Sequence, residues 1–215
     1  MNQCAQALYE ERLDRFLSMV HGNDGLVAKL AIFQGLWKKY TLLGDDLWKI
    51  DPLLYHFAKS METELILGAA RLVESSKRSD GNLSRFLEFC IRCSERISWA
   101  SGSMPKTIAA THKMKLQAHH ETINSIMGRR DKVVAHLDNK YLRDPEAIDR
   151  DYPLSQEAVI SLVNDIISIL REHEHGVKPH TTFHLAQMFE QSVDNMIWNL
   201  HTGREHNFGV ELRLD

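Results

Sequence analysis

Apolar residues along this chain recur every three or four positions, which is the spacing of one face of an α-helix. No stretch alternates apolar and polar residues over a length that would favour a β-strand. Counting the two segments that flank Gly128 as one interrupted helix, the chain is predicted to be an all-α bundle of about six or seven helices. The predicted helices cover residues 2–21, 25–43, 51–76, 83–98, 106–127, 129–138, 155–172 and 182–200.

Residues with turn and capping chemistry separate the predicted helices. Asp51-Pro52 is predicted to start the third helix, with the aspartate as its cap and the proline in its first turn. Ser155 is predicted to cap the helix that follows a proline-containing loop over residues 139–153. Residues 1–203 are predicted to form one domain, and residues 204–215 a C-terminal tail.

Composition is ordinary for a globular protein, with 43% hydrophobic and 26% charged residues. Three cysteines, an odd number, argue against a disulfide framework and favour a reducing cytoplasm. The first residues lack the cationic start and apolar core of a signal peptide. The best apolar run, Leu26 to Trp37, contains Lys29 and Gln34 and falls short of the ~20 residues that a membrane helix needs. A cytoplasmic protein that does not associate with membranes is therefore expected.

Net charge is −3, so the chain as a whole carries no basic field typical of nucleic-acid binding. Residues 106–140 differ, because seven basic and three acidic residues give that segment a local charge of +4. Such a segment can hold a phosphate backbone on an acidic protein, or it can be an ordinary solvated helix face. The basic residues are Lys106, Lys113, Lys115, Arg129, Arg130, Lys132 and Lys140, and the acidic ones are Glu121, Asp131 and Asp138.

Cysteines and histidines suggest two further kinds of site. Cys90 and Cys93 have the spacing of a redox or metal pair, but no second pair exists, and their helix is rich in Phe and Leu. They are therefore predicted to be packing residues. The adjacent His119 and His120 are predicted to be surface-exposed. Four further histidines could form a small metal-binding site, and they are His173, His175, His180 and His184. No supporting cysteine or acid is suitably spaced, so no metal is predicted.

Arg130 has the most informative position in the helical pattern. It falls in the middle of an apolar stripe formed by Ile123, Ile126, Met127, Val133, Val134 and Leu137. A guanidinium cannot lose its proton and is costly to bury unpaired, so it must meet a carboxylate, a subunit interface or an anionic ligand. Glu74, which ends an apolar helix together with Arg71, is a candidate carboxylate. Alternatively, both residues lie in the solvated end of that helix.

His136 follows Arg130 by six residues, which places it about 120° around an ideal helix. The two side chains therefore do not share a face. A site that uses both would need the long reach of arginine, a break near Gly128, or a second copy of the motif. In the alternative interpretation, Arg130 is a structural arginine paired to an acid, and His136 is an ordinary interior or surface histidine.

The segment Arg130-Asp131-Lys132-Val133-Val134-Ala135-His136 resembles the signature of the HEPN superfamily, in which an arginine and a polar residue are followed by four residues and then a histidine. Many HEPN proteins are helical, metal-independent ribonucleases. A second segment, Arg71 to Glu74 leading into Asn82-Leu83-Ser84, makes the chain similar to the abortive-infection type-U branch linked to bacterial phage defence. The resemblance covers roughly residues 5–200.

The resemblance implies a HEPN-like helical bundle that forms a homodimer, with the motif helices of the two chains facing each other. Arg130 of one chain and His136 of the other would then cleave RNA without a metal or cofactor, with Asp131 orienting one of them. The predicted substrate-binding residues are Lys132, Lys140, Arg71 and Asn82. A toxin or defence effector is implied, and an antitoxin or nucleotidyltransferase would be a further partner. The alternative is a non-catalytic HEPN interaction or nucleotide-binding module.

Overall fold

The computed structural model describes residues 5–22, 24–74, 82–134, 138–179 and 185–208, with backbone only at 133–134 and 207–208. The described chain is almost entirely helical, which confirms the predicted all-α class. Its elements are α1 (Ala5–His21), α2 (Leu26–Leu43), α3 (Asp46–Ile50), α4 (Leu53–Val73), α5 (Leu83–Cys93), a 3₁₀ turn (Ser94–Arg96), β1 (Ser98–Trp99), β2 (Gly102–Ser103), α6 (Lys106–Gln117), α7 (His120–Arg129), a π-helical turn (Arg130–Val134), α8 (Asn139–Arg143), α9 (Ala147–Asp151), α10 (Gln156–Val177) and α11 (Leu185–Phe208).

Two apolar cores hold these helices together. The larger core lies between α1, α2, α4, α5, α6, α7 and α10, and Phe16, Leu72 and Phe86 are fully buried within it. Full burial of one such side chain contributes about 1.5–3 kcal/mol. Cys90 and Cys93 also belong to this core, which confirms their prediction as packing residues. The smaller core joins α11 to α2, α3 and α4 through Leu36, Leu47, Ile50, Leu54, Val193 and Ile197.

Two helix starts lie where capping chemistry predicts them. The Asp51 carboxylate accepts a hydrogen bond from the Leu53 backbone N–H at 2.8 Å, at the start of α4. The Ser155 hydroxyl accepts one from the Ala158 backbone N–H at 3.1 Å, at the start of α10. Both caps act within a few residues of their own position, so the local sequence is sufficient to place them.

The prediction of one helix over residues 106–127 is wrong, because the structure has two helices there, α6 and α7, separated at Ala118–His119. Gly128 does not interrupt the helix, because α7 continues through it to Arg129. A Cβ at Gly128 would lie 2.1 Å from Cδ1 of Tyr152, so the glycine allows that ring to pack against the helix. Its role is close packing rather than helix breaking.

Several helix ends also differ from the prediction. α5 ends at Cys93 rather than at residue 98, and the 3₁₀ turn is followed by a short β-hairpin with two residues in each strand. α10 continues to Val177, so the predicted loop at residues 173–177 is helical. α11 continues to Phe208, so the predicted domain boundary at residue 203 falls inside a helix. Arg204 ties this extension to α3 by donating to the Ile50 carbonyl at 2.8 Å.

The loop predicted over residues 139–153 contains two short helices, α8 and α9, among its described residues. None of the helices in the described ranges is both long and apolar enough to cross a membrane.

Candidate functional site

Arg130 lies at the point where regular helix ends. α7 finishes at Arg129, and Arg130 begins a single π-helical turn, a geometry that is frequent at functional sites. One helical turn earlier, Ile126 is completely buried and fixes this face of α7 against the core. The Arg130 side chain is consequently held near the protein interior, with 20% of its surface exposed.

Two carboxylates surround the Arg130 guanidinium. Glu74, at the end of α4, receives Nη1 at 2.9 Å and Nη2 at 3.3 Å in a bidentate pair. Asp131 receives Nε at 2.8 Å and Nη2 at 2.7 Å. Burial acts to lower the pKa of Arg130, but the hydrogen bonds that it donates to Glu74 and Asp131 outweigh burial and raise the pKa. Of the two alternatives that the sequence left open for Glu74, the structure therefore shows the pair with Arg130.

The other residues predicted near Arg130 lie at the surface. Arg71 is exposed in the last turn of α4, and Lys132 is exposed in the π-helical turn. The Lys132 ammonium lies 3.6 Å from the Asp138 carboxylate. His136, the predicted catalytic histidine, lies outside the described residues, so its distance from Arg130 is not defined.

Asn82 has a structural role, which differs from the predicted substrate contact. Its side-chain oxygen caps α5 by accepting from the backbone N–H groups of Ser84, at 2.7 Å, and Arg85, at 3.4 Å. Its side-chain nitrogen donates to the Glu74 carbonyl at 2.6 Å. Only 2% of the residue is exposed, and both polar atoms of its side chain are engaged in these bonds, so a contact between Asn82 and substrate stays a prediction. Asn82 instead holds the end of α4 that carries Glu74.

Lys140 belongs to a network that joins α8 to α9. Its ammonium pairs with the Asp151 carboxylate, and the Tyr141 hydroxyl donates to the same carboxylate at 2.8 Å. These bonds from Lys140 and Tyr141 lower the pKa of Asp151. The bond to Asp151 raises the pKa of Tyr141 to about 12. A phosphate contact by Lys140, which remains a prediction, would compete with this network.

The cationic segment over residues 106–140 is less positive in the fold than along the chain. Five of its basic residues pair with carboxylates that lie outside the segment, because the fold brings acidic residues from α5, α9, α10 and the end of α4 against it. Positive charge at this surface is therefore largely balanced. The pairs are Lys113–Glu88, Lys115–Asp165, Arg129–Asp149, Arg130–Glu74 and Lys140–Asp151.

A polar cleft of about 350 Å³ opens beside the end of α4. Val73 lines it, so the cleft reaches the residue directly before Glu74 in the chain. Ile123 also lines it and precedes Arg130 by seven residues, about two helical turns. The polar lining residues are Asn82, Ser84, Arg85, Glu88, Gln117, His120 and Asn124.

Sequence analysis did not single out Arg85, Gln117 or Asn124 as site residues. Spacing on α7 could have identified Asn124, but the contribution of α5 and α6 to the cleft depends on tertiary packing. His120 is 70% exposed, as predicted. The prediction of exposure was wrong for His119, which is 14% exposed and bonded to the Asp165 carboxylate at 2.8 Å.

The described part of the histidine cluster is not arranged as a metal site. His173 is fully buried, and its two ring nitrogens lie 3.0 Å from the Tyr9 hydroxyl and 3.3 Å from His112 Nδ1. His175 is exposed on α10, and His180 and His184 lie outside the described residues. Within the described ranges, no three metal-ligating side chains come together.

Comparison with known proteins gives one match. The family model HEPN_AbiU2, described as AbiU2, matches residues 51–196, which is more than half of the chain. The match includes α4 with Glu74, the Asn82 cap, α7 and the whole Arg130–His136 segment. No curated protein and no solved structure matches the chain significantly.

Proposed function

Because the chain belongs to the AbiU2 family of HEPN proteins, we propose that it is a metal-independent endoribonuclease of bacterial phage defence. In this proposal two chains form a homodimer, and each active site combines Arg130 of one chain with His136 of the other. The polar cleft beside Glu74 would receive part of the RNA strand, next to the scissile phosphate.

The observation that carries the proposal is the position of Arg130. Its guanidinium is fixed at the start of a π-helical turn and is permanently charged, and its partner Glu74 directly follows Val73, which lines a cleft of ligand size. A guanidinium presents a planar fork of N–H donors that matches two oxygens of a phosphate. A cation held in this way can stabilise the charge that grows on a phosphate during RNA cleavage.

The proposed chemistry uses the 2′-hydroxyl of the RNA as nucleophile. The 2′ oxygen attacks the adjacent phosphorus while the bond from phosphorus to the 5′ oxygen breaks. The reference pKa of histidine is about 6.5, so a histidine such as His136 is suited to take the 2′ proton or to give a proton to the departing oxygen. The products are a 2′,3′-cyclic phosphate and a 5′-hydroxyl. DNA has no 2′-hydroxyl, so it should not be cleaved.

Arg130 must exchange partners to bind phosphate. Glu74 and Asp131 occupy four of the five N–H donors that a guanidinium carries. Asp131 is the more exposed carboxylate, with 53% of its side-chain surface accessible against 38% for Glu74. We therefore expect Asp131 to release Arg130 when substrate binds, while Glu74 keeps the guanidinium in place.

The same two carboxylates favour a second candidate function, a non-catalytic HEPN interaction module. In that case Arg130 serves only to join α7 to the end of α4. The internal pairing of five basic residues of the 106–140 segment agrees with this alternative, because it leaves less positive charge for RNA.

Cleavage of a mixed RNA pool in EDTA tests the proposal. The wild type should cut RNA and leave cyclic-phosphate ends, and the same sequences as DNA should stay intact. Arg130→Ala and His136→Ala should each lower the rate at least a hundredfold. Arg143→Ala and His175→Ala replace exposed residues outside the site and serve as matched controls, which should cut like the wild type.

The pattern of cleavage among these proteins decides between the two candidates. Intact RNA with folded wild-type protein would favour the interaction module. Cleavage that both site variants retain would point to a contaminating nuclease or to a site elsewhere in the chain.

A further inference from the structure

Five aromatic side chains line a cleft between α2, α3 and α4. Phe33, Trp37 and Tyr40 come from α2, Trp48 from α3 and Tyr55 from α4. Ring centroids are 5.3 Å apart for Trp37 and Tyr40, 5.2 Å for Tyr40 and Trp48, and 5.6 Å for Trp48 and Tyr55. Trp37 is 38% exposed and Tyr55 is 45% exposed, although a core lies directly beneath them. The chain thus leaves two large rings open at the mouth of the cleft.

Gln156 contributes an unpaired hydrogen-bond acceptor to the cleft. It lines the cleft from the first turn of α10, where Ser155 already provides the helix cap. Its side-chain oxygen Oε1 is buried and has no hydrogen-bond partner within the described structure. Nearly all buried side-chain polar atoms in folded proteins have a partner, so Gln156 can offer this unpaired acceptor to a ligand that enters the cleft.

Charged groups lie at the edge of the same cleft. Lys59 and Glu62 line it and form an ion pair at 2.9 Å. Glu62 and Gln156 also line a second, smaller cleft, in which Arg129 takes part. The aromatic cleft therefore continues, around the Gln156 side chain, to the residue directly before Arg130.

We propose that the aromatic cleft binds a nucleobase of an RNA strand, which makes it a base-binding subsite for the substrate of the proposed ribonuclease. The base would stack on the open rings of Trp37 and Tyr55 and donate an N–H to Gln156 Oε1. Lys59 would face the phosphate attached to that nucleotide. Stacking on aromatic side chains and a cation beside the backbone are the two recurring features of single-strand recognition.

The size of the cleft limits what enters it. It encloses about 50 Å³, which is room for only a few water molecules and so for the edge of one ring. The sugar and phosphate would remain outside, near Lys59. A quaternary ammonium fits less well, because Tyr40 and Trp48 stack on each other with planes 23° apart and do not face a central cation.

Calorimetric titration with single nucleotides tests the inference, using His136→Ala protein so that binding is measured without cleavage. Guanosine and uridine 5′-monophosphates and a ten-nucleotide single-stranded RNA should bind, and ribose 5-phosphate should bind much more weakly. Gln156→Met keeps the side-chain length but removes the acceptor, and it should weaken nucleotide binding about tenfold. The same change should raise Tm without ligand, because an unpaired buried acceptor is lost.

Two matched pairs of variants separate the cleft from general effects. Trp37→Leu should weaken binding roughly 5- to 150-fold, the range expected for loss of one base–aromatic stack. Trp198→Leu replaces an even more exposed tryptophan on α11, outside the cleft, and should leave affinity unchanged. Gln187→Met replaces an exposed glutamine on α11 and should change neither affinity nor Tm.

The inference is overturned if ribose 5-phosphate binds as tightly as the nucleotides, if no nucleotide or RNA binds at millimolar concentration, or if Gln156→Met keeps wild-type affinity. Because the titration measures binding without cleavage, its result does not depend on the result of the cleavage assay that tests the proposed function. Base binding by a protein that does not cut RNA would support the subsite and reject the nuclease. Cleavage of RNA without base binding would support the nuclease and reject the subsite.

Discussion

Two neighbouring arginines show how strongly the role of a residue depends on its partners. Arg129 donates from Nε to the Tyr152 carbonyl at 2.8 Å and pairs with Asp149 at 2.6 Å, so it ties α7 to the α9 region. Arg130 points instead to Glu74 at the end of α4. Consecutive residues of a helix point about 100° apart, so the two side chains leave the backbone in different directions. Arg130 consequently pairs with the carboxylate at the end of α4, whereas Arg129 lines the smaller cleft beside Gln156.

His173 is the most unusual titratable residue in the core. A continuous hydrogen-bonded chain runs through it from Trp99 and Tyr9 to His112 and finally to the Glu172 carboxylate, with heavy-atom separations of 2.8–3.3 Å. Burial, together with the neighbouring His112, lowers the pKa of His173 to about 3. The residue is thus a neutral member of the core, and both of its ring nitrogens are engaged in hydrogen bonds.

The lowered pKa of His173 predicts a pH-dependent stability. Below about pH 6.5 the unfolded chain binds a proton at this histidine, and the folded chain does not do so until about pH 3. The contribution of His173 to the free energy of unfolding should therefore fall as pH is lowered through that interval, by about 1.4 kcal/mol per pH unit. Urea unfolding of the wild type and of His173→Leu between pH 7.5 and 5 should show this difference in slope.

His175 provides the control for that measurement, because it is exposed on the same helix and solvated in both states. His175→Leu should keep the wild-type slope. Equal slopes for the wild type and His173→Leu would show that His173 becomes protonated in the folded protein. His173→Leu should also be less stable at pH 7.5, since it leaves Tyr9 and His112 without their shared partner.

At the scale of elements, the site depends on how α7 is held. Ile126 anchors it to the core, Arg130 joins its end to α4, and the Tyr152 ring packs against its backbone at Gly128. A glycine inside a helix normally costs about 0.5–1 kcal/mol relative to alanine. Its presence here is explained by the space that the ring requires.

Replacement of Gly128 should therefore raise or lower the free energy of unfolding depending on whether the Tyr152 ring is present. In the wild-type background Gly128→Ala should destabilise the fold by about 1–3 kcal/mol, because the new methyl overlaps the ring. In a Tyr152→Ala background the same change should stabilise it by about 0.5–1 kcal/mol. Chemical unfolding of the four proteins gives this cycle, and destabilisation of equal size in both backgrounds would refute the packing explanation.

At the scale of the whole molecule, the proposed site needs two chains. The chain has a mass of 24.8 kDa, so a dimer should have a mass of about 50 kDa in solution. A twofold axis would place the two copies of the motif segment opposite each other. It would also remove the difficulty that Arg130 and His136 do not share a face of one ideal helix.

Mixing two inactive variants tests the shared site directly. In a dimer of one Arg130→Ala chain and one His136→Ala chain, one site lacks both residues and the other site is intact. After unfolding and refolding at equal amounts, about half of the dimers should be mixed, so about a quarter of wild-type RNA cleavage should return. If each site were built within one chain, mixing would restore nothing. A monomeric mass for active wild-type protein would also exclude the shared site.

The sequence alone determined the features that depend on near neighbours in the chain. Helical periodicity identified the all-α class, and the side chains of Asp51 and Ser155 marked two helix starts, because caps act within three residues. The position of Arg130 in an apolar stripe required a partner, since a buried guanidinium cannot become neutral. The match to the AbiU2 family over residues 51–196 agrees with the motif found in the sequence.

Only the tertiary structure decided the features that depend on contacts between distant segments. The break at Ala118–His119, the full lengths of α10 and α11 and the capping role of Asn82 follow from packing that no local pattern specifies. The largest difference concerns the positive charge expected for residues 106–140. A local charge counted along the sequence omits acidic residues elsewhere in the chain, and in the fold those residues form ion pairs with the segment. The aromatic cleft likewise exists only because three helices and the start of α10 meet there.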